Sequence, residues 1–146
     1  MREVLFRGKK TSNNEWVYGG IVHQTDFYGE KCDSYFIIDG TTTWDNNIGE
    51  EFEVYSETLG QFTGLCDKNG KRIFEGDIVE AKLTNGNYQG FSWGLQIVSF
   101  KKGAFGLMNA KKELTPFESY NPNVGFEVVG NIYDNNELLK DGGQNV

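Results

Sequence analysis

Carboxylate pairs are the first feature of this sequence that could do chemistry. Glu51 and Glu53 lie two residues apart in a segment that alternates acidic and apolar side chains, so both point to one side of a predicted strand. Such a pair could bind a cation or act as general acid and base. Glu75 and Asp77, on either side of Gly76, form a second pair, and Asp77 is the best single candidate for a hydrolase carboxylate. We favour solvated or turn-capping roles for all four and predict no catalytic residue.

The sequence offers little for nucleophilic or metal chemistry. Its one histidine, His23, ends a predicted strand with no Ser or Cys nucleophile marked nearby, so we interpret it as a polar strand residue rather than a general base. The only cysteines are Cys32 and Cys66, which we expect to be reduced thiols. Because a structural zinc site usually takes four Cys or His ligands, we predict no metal site and no cofactor.

The chain has one basic cluster, with aromatic residues beside it. Its members are Lys101, Lys102, Lys111 and Lys112, with Phe100 and Phe105 nearby. Lysines that pair with phosphates and rings that stack on bases are together typical of single-stranded nucleic-acid binding. The net charge of −7 works against such binding. A solvated turn is therefore the favoured interpretation, and nucleic-acid binding is the alternative.

Glycines in residues 62–79 mark turns. A phosphate-binding loop here would need a following helix and a Lys-Ser or Lys-Thr pair, and the sequence contains neither. Asn69-Gly70, between strand-like residues, is instead a strong hairpin signal. Gly76-Asp77 makes a second turn, from which a new strand begins at Ile78.

The elements that must position these residues are short strands. The apolar patterns predict about eight to ten strands and no long amphipathic helix. They cover residues 4–7, 15–23 with a bend at Gly19-Gly20, 34–39, 50–55, 61–65, 71–74, 78–83, 91–100, 104–108 and 125–132. Residues 24–33 are predicted as a loop carrying Phe27 and Tyr28, residues 40–47 as a loop around Trp44, and residues 115–123 as a third loop. Residues 135–140 could form one helical turn.

Three segments resemble a known family. Residues 63–79 follow the pattern T-G-L-x-D-K-N-G-K-x-I-F-E-G-D-I-V, which is similar to that of the YopX-type proteins of bacterial phages and prophages. The opening, residues 2–7 and 15–19, and the late segment, residues 126–135, are similar to the family's two ends. The resemblance implies a small, mostly β protein of phage or prophage origin, of unknown activity and without known catalytic residues.

The fold class we predict is all-β. Residues 1–60 form an N-terminal sheet of hairpins that packs on an SH3-like small barrel formed by residues 61–140, and residues 141–146 form a disordered tail. A 60-residue sheet of hairpins buries little surface by itself, so we also expect contact with a second copy of the chain.

These observations favour a non-enzymatic accessory protein that binds a host or phage protein, or itself as a homo-oligomer. The acidic chain, with a pI of about 4.7, does not favour nucleic acid or anionic membranes. No apolar run could serve as a signal peptide or membrane span. We therefore expect a cytoplasmic location in a bacterial host.

Overall fold

A computed structural model describes residues 3–39 and 50–140. The described residues up to Phe62 form one compact unit, and those from Thr63 form another. The predicted loop around Trp44 and the predicted tail, residues 141–146, lie outside the described residues. Both units are built from antiparallel strands, which confirms the all-β class.

The first unit is a staggered antiparallel sheet. Its strands are β1 (Phe6–Lys9), β2 (Trp16–Phe27), β3 (Glu30–Asp39), β4 (Glu50–Val54) and the start of β5 (Gly60–Cys66). They lie in the order β4-β3-β2-β1-β5. Strand β2 pairs with β1 as far as Gly19 and with β3 from Gly20 onward. The small core of this unit contains buried Val17, Ile37 and Val54.

Gly19 serves a close approach and not the predicted bend. Strand β2 runs without interruption through Gly19 and Gly20. A Cβ atom at Gly19 would overlap the carbonyl oxygen of Ile38, whereas Gly20 has open space beside it. The glycine therefore lets β3 approach at the point where β2 changes partners.

The predicted loop at residues 24–33 is instead the end of a long hairpin. Strands β2 and β3 stay paired up to Phe27 and Glu30, and a two-residue turn, Tyr28-Gly29, joins them. Both turn residues have positive φ, 51° and 84°, which is the pattern of a type I′ turn. The sequence shows no Asn-Gly or Asp-Gly pair here, which is why the hairpin was not predicted.

The second unit contains an open five-stranded sheet. Its strands are β7 (Asp77–Leu83), β8 (Ser92–Lys101), β9 (Ala104–Met108), β10 (Leu114–Pro116) and β11 (Val124–Asn131), in the order β10-β9-β8-β7-β11. Strand β6 (Arg72–Phe74) pairs with β5. Within the described residues no ladder joins the edge strands β10 and β11, so the barrel does not close and the SH3-like detail is not confirmed.

The core of the second unit lies on one face of this sheet. It contains Ile73, Val79, Ala81, Val98, Leu107 and Phe117, each buried. Partly buried aromatic rings surround it, and Tyr120 and Phe126 meet edge to face at 5.2 Å. Aromatic packing of this kind compensates for the low hydrophobic fraction of the chain, 38%.

The buried carboxylate of Asp67 connects the turn between β5 and β6 to strand β11. Asp67 Oδ1 accepts the N–H groups of Asn69 and Lys71, both at 2.9 Å, and its Oδ2 accepts the N–H of Val128 in β11 at 3.0 Å. Burial alone would raise the pKa of Asp67, but these backbone N–H groups and the Lys71 charge together lower it below 3.8. The carboxylate is therefore ionised and structural at neutral pH.

Gly76 occupies a second structural turn. Its φ is 89°, its N–H donates to the Val98 carbonyl at 2.9 Å, and its own carbonyl accepts the Ile132 N–H at 2.9 Å. A Cβ atom there would lie 3.0 Å from the Tyr133 ring. Gly70 and Gly76 thus serve turns, as the sequence indicates, whereas Gly64 lies within β5 with a φ of 91°.

Candidate functional site

The four lysines of the basic cluster lie in two neighbouring turns of the second unit. Lys101 ends β8, and Lys102-Gly103 forms the two-residue turn into β9, with φ values of 54° and 81°. Lys111 and Lys112 lie in the turn between β9 and β10. Because β9 pairs with both β8 and β10, the two turns meet where the ε-amine of Lys101 donates to the carbonyl oxygen of Lys112, at 3.2 Å.

The β9–β10 turn has the same side-chain hydrogen bonds as the turn that follows Asp67, but a different residue type occupies its left-handed position. Asn109 Oδ1 accepts the N–H groups of Lys111 at 2.9 Å and Glu113 at 3.1 Å, two and four residues ahead. Asp67 makes the same pair of bonds. Three residues after each anchor the backbone is left-handed. In the first turn that residue is Gly70, whereas in the second it is Lys112, with φ 65°.

A left-handed lysine carries a conformational cost that glycine would avoid. The left-handed region disfavours residues with a Cβ by about 1 kcal/mol or more. A side chain that occupies such a position despite the cost is a candidate for a role beyond folding. Lys112 and Lys102, whose φ is 54°, are therefore the most informative members of the basic cluster.

Three of the four lysines line one pocket, which we call the lysine pocket. It encloses about 330 Å³, and its lining residues are Lys101, Lys102, Ala104, Lys112, Glu113, Leu114 and Pro116. Lys111 lies in the same turn but does not line the pocket. In residues 3–39 and 50–140 no carboxylate forms an ion pair with any of the four lysines. The pocket thus combines apolar walls with a basic rim.

The aromatic pair of the predicted nucleic-acid site lies on the opposite face of the sheet. Phe100 and Phe105 are cross-strand partners that meet edge to face at 4.9 Å. Adjacent residues of a strand point to opposite faces, so Phe100 points away from the side that carries Lys101. Phe105 packs against the core. Lysines and rings are therefore not combined on one surface as the sequence suggested.

The hairpin of the first unit ends in a two-stranded projection, which we call the arm, residues 24–34. Strand β4 pairs with β3 only from Tyr35 onward, and β1 pairs with β2 only as far as Gly19. Among the described residues the arm therefore has no third strand. At its tip Tyr28 is 92% exposed and Phe27 is 56% exposed, and their rings meet edge to face at 4.6 Å.

His23 fixes the base of the arm. Its Nε2 lies 2.6 Å from Asp33 Oδ1, and its ring stacks on Tyr35 with centroids 4.1 Å apart and planes 4° from parallel. The Asp26 carboxylate accepts the Gly29 N–H at 2.9 Å and so holds the tip turn. His23 thus lies between an acid and a ring of its own hairpin, and no Ser or Cys side chain is among its contacts here.

The carboxylates considered for a catalytic role do not converge on one site in the described residues. Glu51 and Glu53 lie on β4, both exposed, opposite Ile38 and Phe36 of β3. Asp77 is buried and its Oδ2 accepts the Phe74 N–H at 2.8 Å, which is a local turn bond. Within the two described ranges, no three His, Cys, Asp or Glu residues are grouped so that they could hold a metal ion.

An apolar groove is a feature that the sequence did not predict. It encloses about 340 Å³, and its lining residues are Leu65, Phe117, Glu118, Tyr120, Asn121, Pro122, Val124 and Phe126. Burial raises the pKa of Tyr120, although a hydrogen bond to Thr115 acts against this. Most of these residues fall in the segment predicted as a loop, where only the spacing of Phe117, Tyr120 and Val124 could have indicated packing.

The helices among the described residues are short. The described residues contain one α-helical turn, α1 (Glu137–Lys140), and two 3-10 turns, Ser56–Thr58 and Phe117–Ser119. None of these helices could span a bilayer.

Comparison with known proteins identifies the family. The chain is similar to a solved structure described as the crystal structure of protein EF1440 from Enterococcus faecalis, with 26% identity and a TM-score of 0.56. The similarity covers 95% of this chain and 99% of the other. No curated protein matches the chain. A family model described as YopX protein matches residues 5–140. The chain therefore belongs to the YopX family.

Proposed function

We propose that this chain is a non-enzymatic accessory protein of a phage or prophage that acts by binding protein, in the first instance another copy of itself. The observation that carries the proposal is the arm, which presents Phe27 and Tyr28 to solvent at the end of a two-stranded projection. Exposed rings held on a defined turn are typical anchors of protein interfaces.

Physical considerations support a binding role for the arm. A two-stranded ribbon without a covering strand is marginally stable in water, and it does not bury its aromatic tip. Burial of one aromatic side chain in a partner removes roughly 150–250 Å² from water, which at about 25 cal/mol per Å² contributes several kcal/mol. Stability of the free chain does not account for this placement, whereas a partner would.

The family supports the phage setting and the absence of a known activity. Proteins of YopX type occur in bacterial phages and prophages, so we expect the chain to act in the bacterial cytoplasm. The carboxylates considered for a hydrolase support the non-enzymatic proposal, since Asp77 serves a turn and Glu51 and Glu53 lie on an exposed strand face.

Light scattering over a concentration series tests the proposal. We expect the wild-type mass to rise above that of a monomer, and Phe27→Ser/Tyr28→Ser to remain monomeric. Tyr88→Ser is the matched control, because Tyr88 is 75% exposed in a loop of the other unit. A wild-type chain that stays monomeric, and that also captures no bacterial protein through its tip, would contradict the proposal.

Nucleic-acid binding is the second candidate, favoured by the lysine pocket. Lys101, Lys102 and Lys112 bring three positive charges to one surface, with Lys111 in the adjacent turn. Fluorescence anisotropy with single-stranded oligonucleotides at about 50 mM salt tests it, because phosphate contacts strengthen as salt falls. Lack of binding at micromolar protein would rule out this function.

A further inference from the structure

We infer that the tip of the arm of one copy docks in the lysine pocket of a second copy. The inference rests on the proposed self-association and assigns its two surfaces. It pairs the arm of the first unit with the lysine pocket of the second, in two different copies of the chain.

The tip is acidic as well as aromatic. Between residues 26 and 33 the arm carries Asp26, Glu30 and Asp33 against a single cation, Lys31. Asp33 lies against His23 at the base, and Asp26 holds the turn. Glu30 is exposed and lies directly opposite Phe27 across the hairpin. A partner surface should therefore offer both an apolar cavity and positive charge.

The lysine pocket offers both. Ala104, Leu114 and Pro116 supply apolar walls, and lysine side chains stand around them. Its volume of about 330 Å³ falls at the lower end of the range for small-ligand sites, which is roughly 300–1,000 Å³, and it can accept one aromatic ring. Among the described residues the only acidic one in its lining is Glu113, so the rim they form is net positive in a chain whose net charge is −7.

Lys112 supports a docking role for this pocket. The turn that holds it has the same hydrogen-bonding pattern as the Asp67 turn, where glycine takes the left-handed position. A lysine here keeps a charge on the pocket rim at a conformational cost. A lysine at a conformationally costly position is expected where its charge recognises an anionic partner.

The apolar groove is the competing receptor, and charge disfavours it. Within the part of the chain that the structure describes, its only charged lining residue is Glu118, which has the same sign as Glu30 of the tip. A like charge at the rim of an interface opposes association, whereas opposite charges accelerate encounter and set the register. Complementarity therefore selects the lysine pocket.

Two single charge reversals and their mixture test the inference. Glu30→Lys changes the tip, and Lys102→Glu changes the pocket without altering Asn109 or Lys112. In sedimentation velocity at about 50 mM salt, we expect each variant alone to self-associate at least roughly tenfold more weakly than wild type. An equimolar mixture of the two should recover association, because each reversed surface meets its complement in the other chain. Gln89→Glu, which adds a negative charge at an exposed position of the same unit outside the pocket lining, is the control and should behave as wild type.

The outcomes separate this inference from the proposed function. Wild-type chains that associate while both variants associate equally well would overturn the inference and leave self-association standing. A wild-type chain that is monomeric at every concentration would overturn both. If Lys102→Glu loses oligonucleotide binding and keeps wild-type self-association, the pocket is a nucleic-acid site and the inference is wrong. Unchanged thermal melting of each variant ensures that lost association does not reflect misfolding.

Discussion

The arm and the sheet of the second unit are both built from antiparallel strands, but they differ in how much of those strands is buried. Strand β7 lies between β8 and β11, and Ile78 and Val79, which point to opposite faces, are both fully buried. In the arm, among the described residues, β2 and β3 pair only with each other, and Phe27 and Tyr28 at the tip are exposed. We infer that burial in the sheet stabilises the chain, while the arm contributes recognition and little stability.

An aspartate accepts backbone N–H groups in a turn of each region, and its burial determines how much it contributes to stability. Asp26 in the arm and Asp67 in the second unit both accept backbone N–H groups across a turn. Asp26 is exposed and closes only its own hairpin, whereas Asp67 is buried and also reaches β11. The same side chain is therefore a local cap in one region and a tertiary anchor in the other.

A large-to-small substitution should give the strongest contrast. Leu107 is fully buried in the core of the second unit, so Leu107→Ala should lower the free energy of unfolding by about 3 kcal/mol. Tyr28→Ala at the arm tip should change it by less than about 0.5 kcal/mol. Urea unfolding of both variants measures the difference. Similar losses at the two sites would refute the division of roles.

Removal of the Asp67 charge should have the next largest effect, and it should depend on pH. Asp67→Asn should cost about 2 kcal/mol at pH 7, because backbone N–H groups lose a charged acceptor. The folded pKa is lowered, so the carboxylate stabilises the fold above pH 3.8 and loses this effect as pH falls through the folded pKa. Unfolding measured at pH 7 and near pH 3 should show the gap between variant and wild type closing. A gap that stays constant would contradict the anchor role.

Two glycines with similar φ should differ in how much they tolerate a side chain. Gly70 and Gly76 have φ values of 82° and 89°, so alanine strains both by about 1 kcal/mol. Only at Gly76 does the new Cβ approach another residue, the Tyr133 ring at 3.0 Å. Gly76→Ala should therefore lower the melting temperature more than Gly70→Ala. The reverse order would show that the Gly76 turn relaxes without cost.

The smallest change in the free energy of unfolding is expected at Lys112, where the substitution should stabilise the fold. Lys112→Gly removes a left-handed lysine and should raise the free energy of unfolding by about 0.5 kcal/mol. The same change should weaken self-association, because it removes a charge from the lysine pocket. Denaturation and sedimentation of this variant together separate the two effects. A variant that is less stable would contradict the strain assigned to Lys112.

Local signals explain which parts of the fold could be predicted. Asn69-Gly70 and Lys102-Gly103 lie between apolar strands, and the structure has turns at both, with β9 spanning Ala104–Met108 as predicted. The arm was missed because Tyr28-Gly29 is not a recognised turn pair and because residues 24–33 are mostly polar, with no alternating apolar pattern around Phe27 and Tyr28. Its pairing depends on cross-strand hydrogen bonds, which leave no periodic apolar pattern where both faces are exposed.

The candidate site was predictable in composition and not in geometry. The sequence identified all four lysines, yet only the pairing of β9 with β8 and β10 brings three of them around one pocket. The separation of Phe100 from those lysines follows from strand alternation once the register is known. The left-handed backbone of Lys112 depends on the side-chain bonds of Asn109, which a lone Asn-Ala-Lys-Lys-Glu segment does not reveal.

Amide hydrogen exchange at several protein concentrations tests the central claim most directly. We expect amides of residues 24–34 to exchange quickly in dilute solution and to become protected as concentration rises, while those of β7 stay protected throughout. Protection should also appear in residues 101–104 and 111–114, which surround the lysine pocket. Exchange in the arm that is the same at every concentration, in a sample that light scattering shows to be oligomeric, would contradict the claim that the arm is the recognition element.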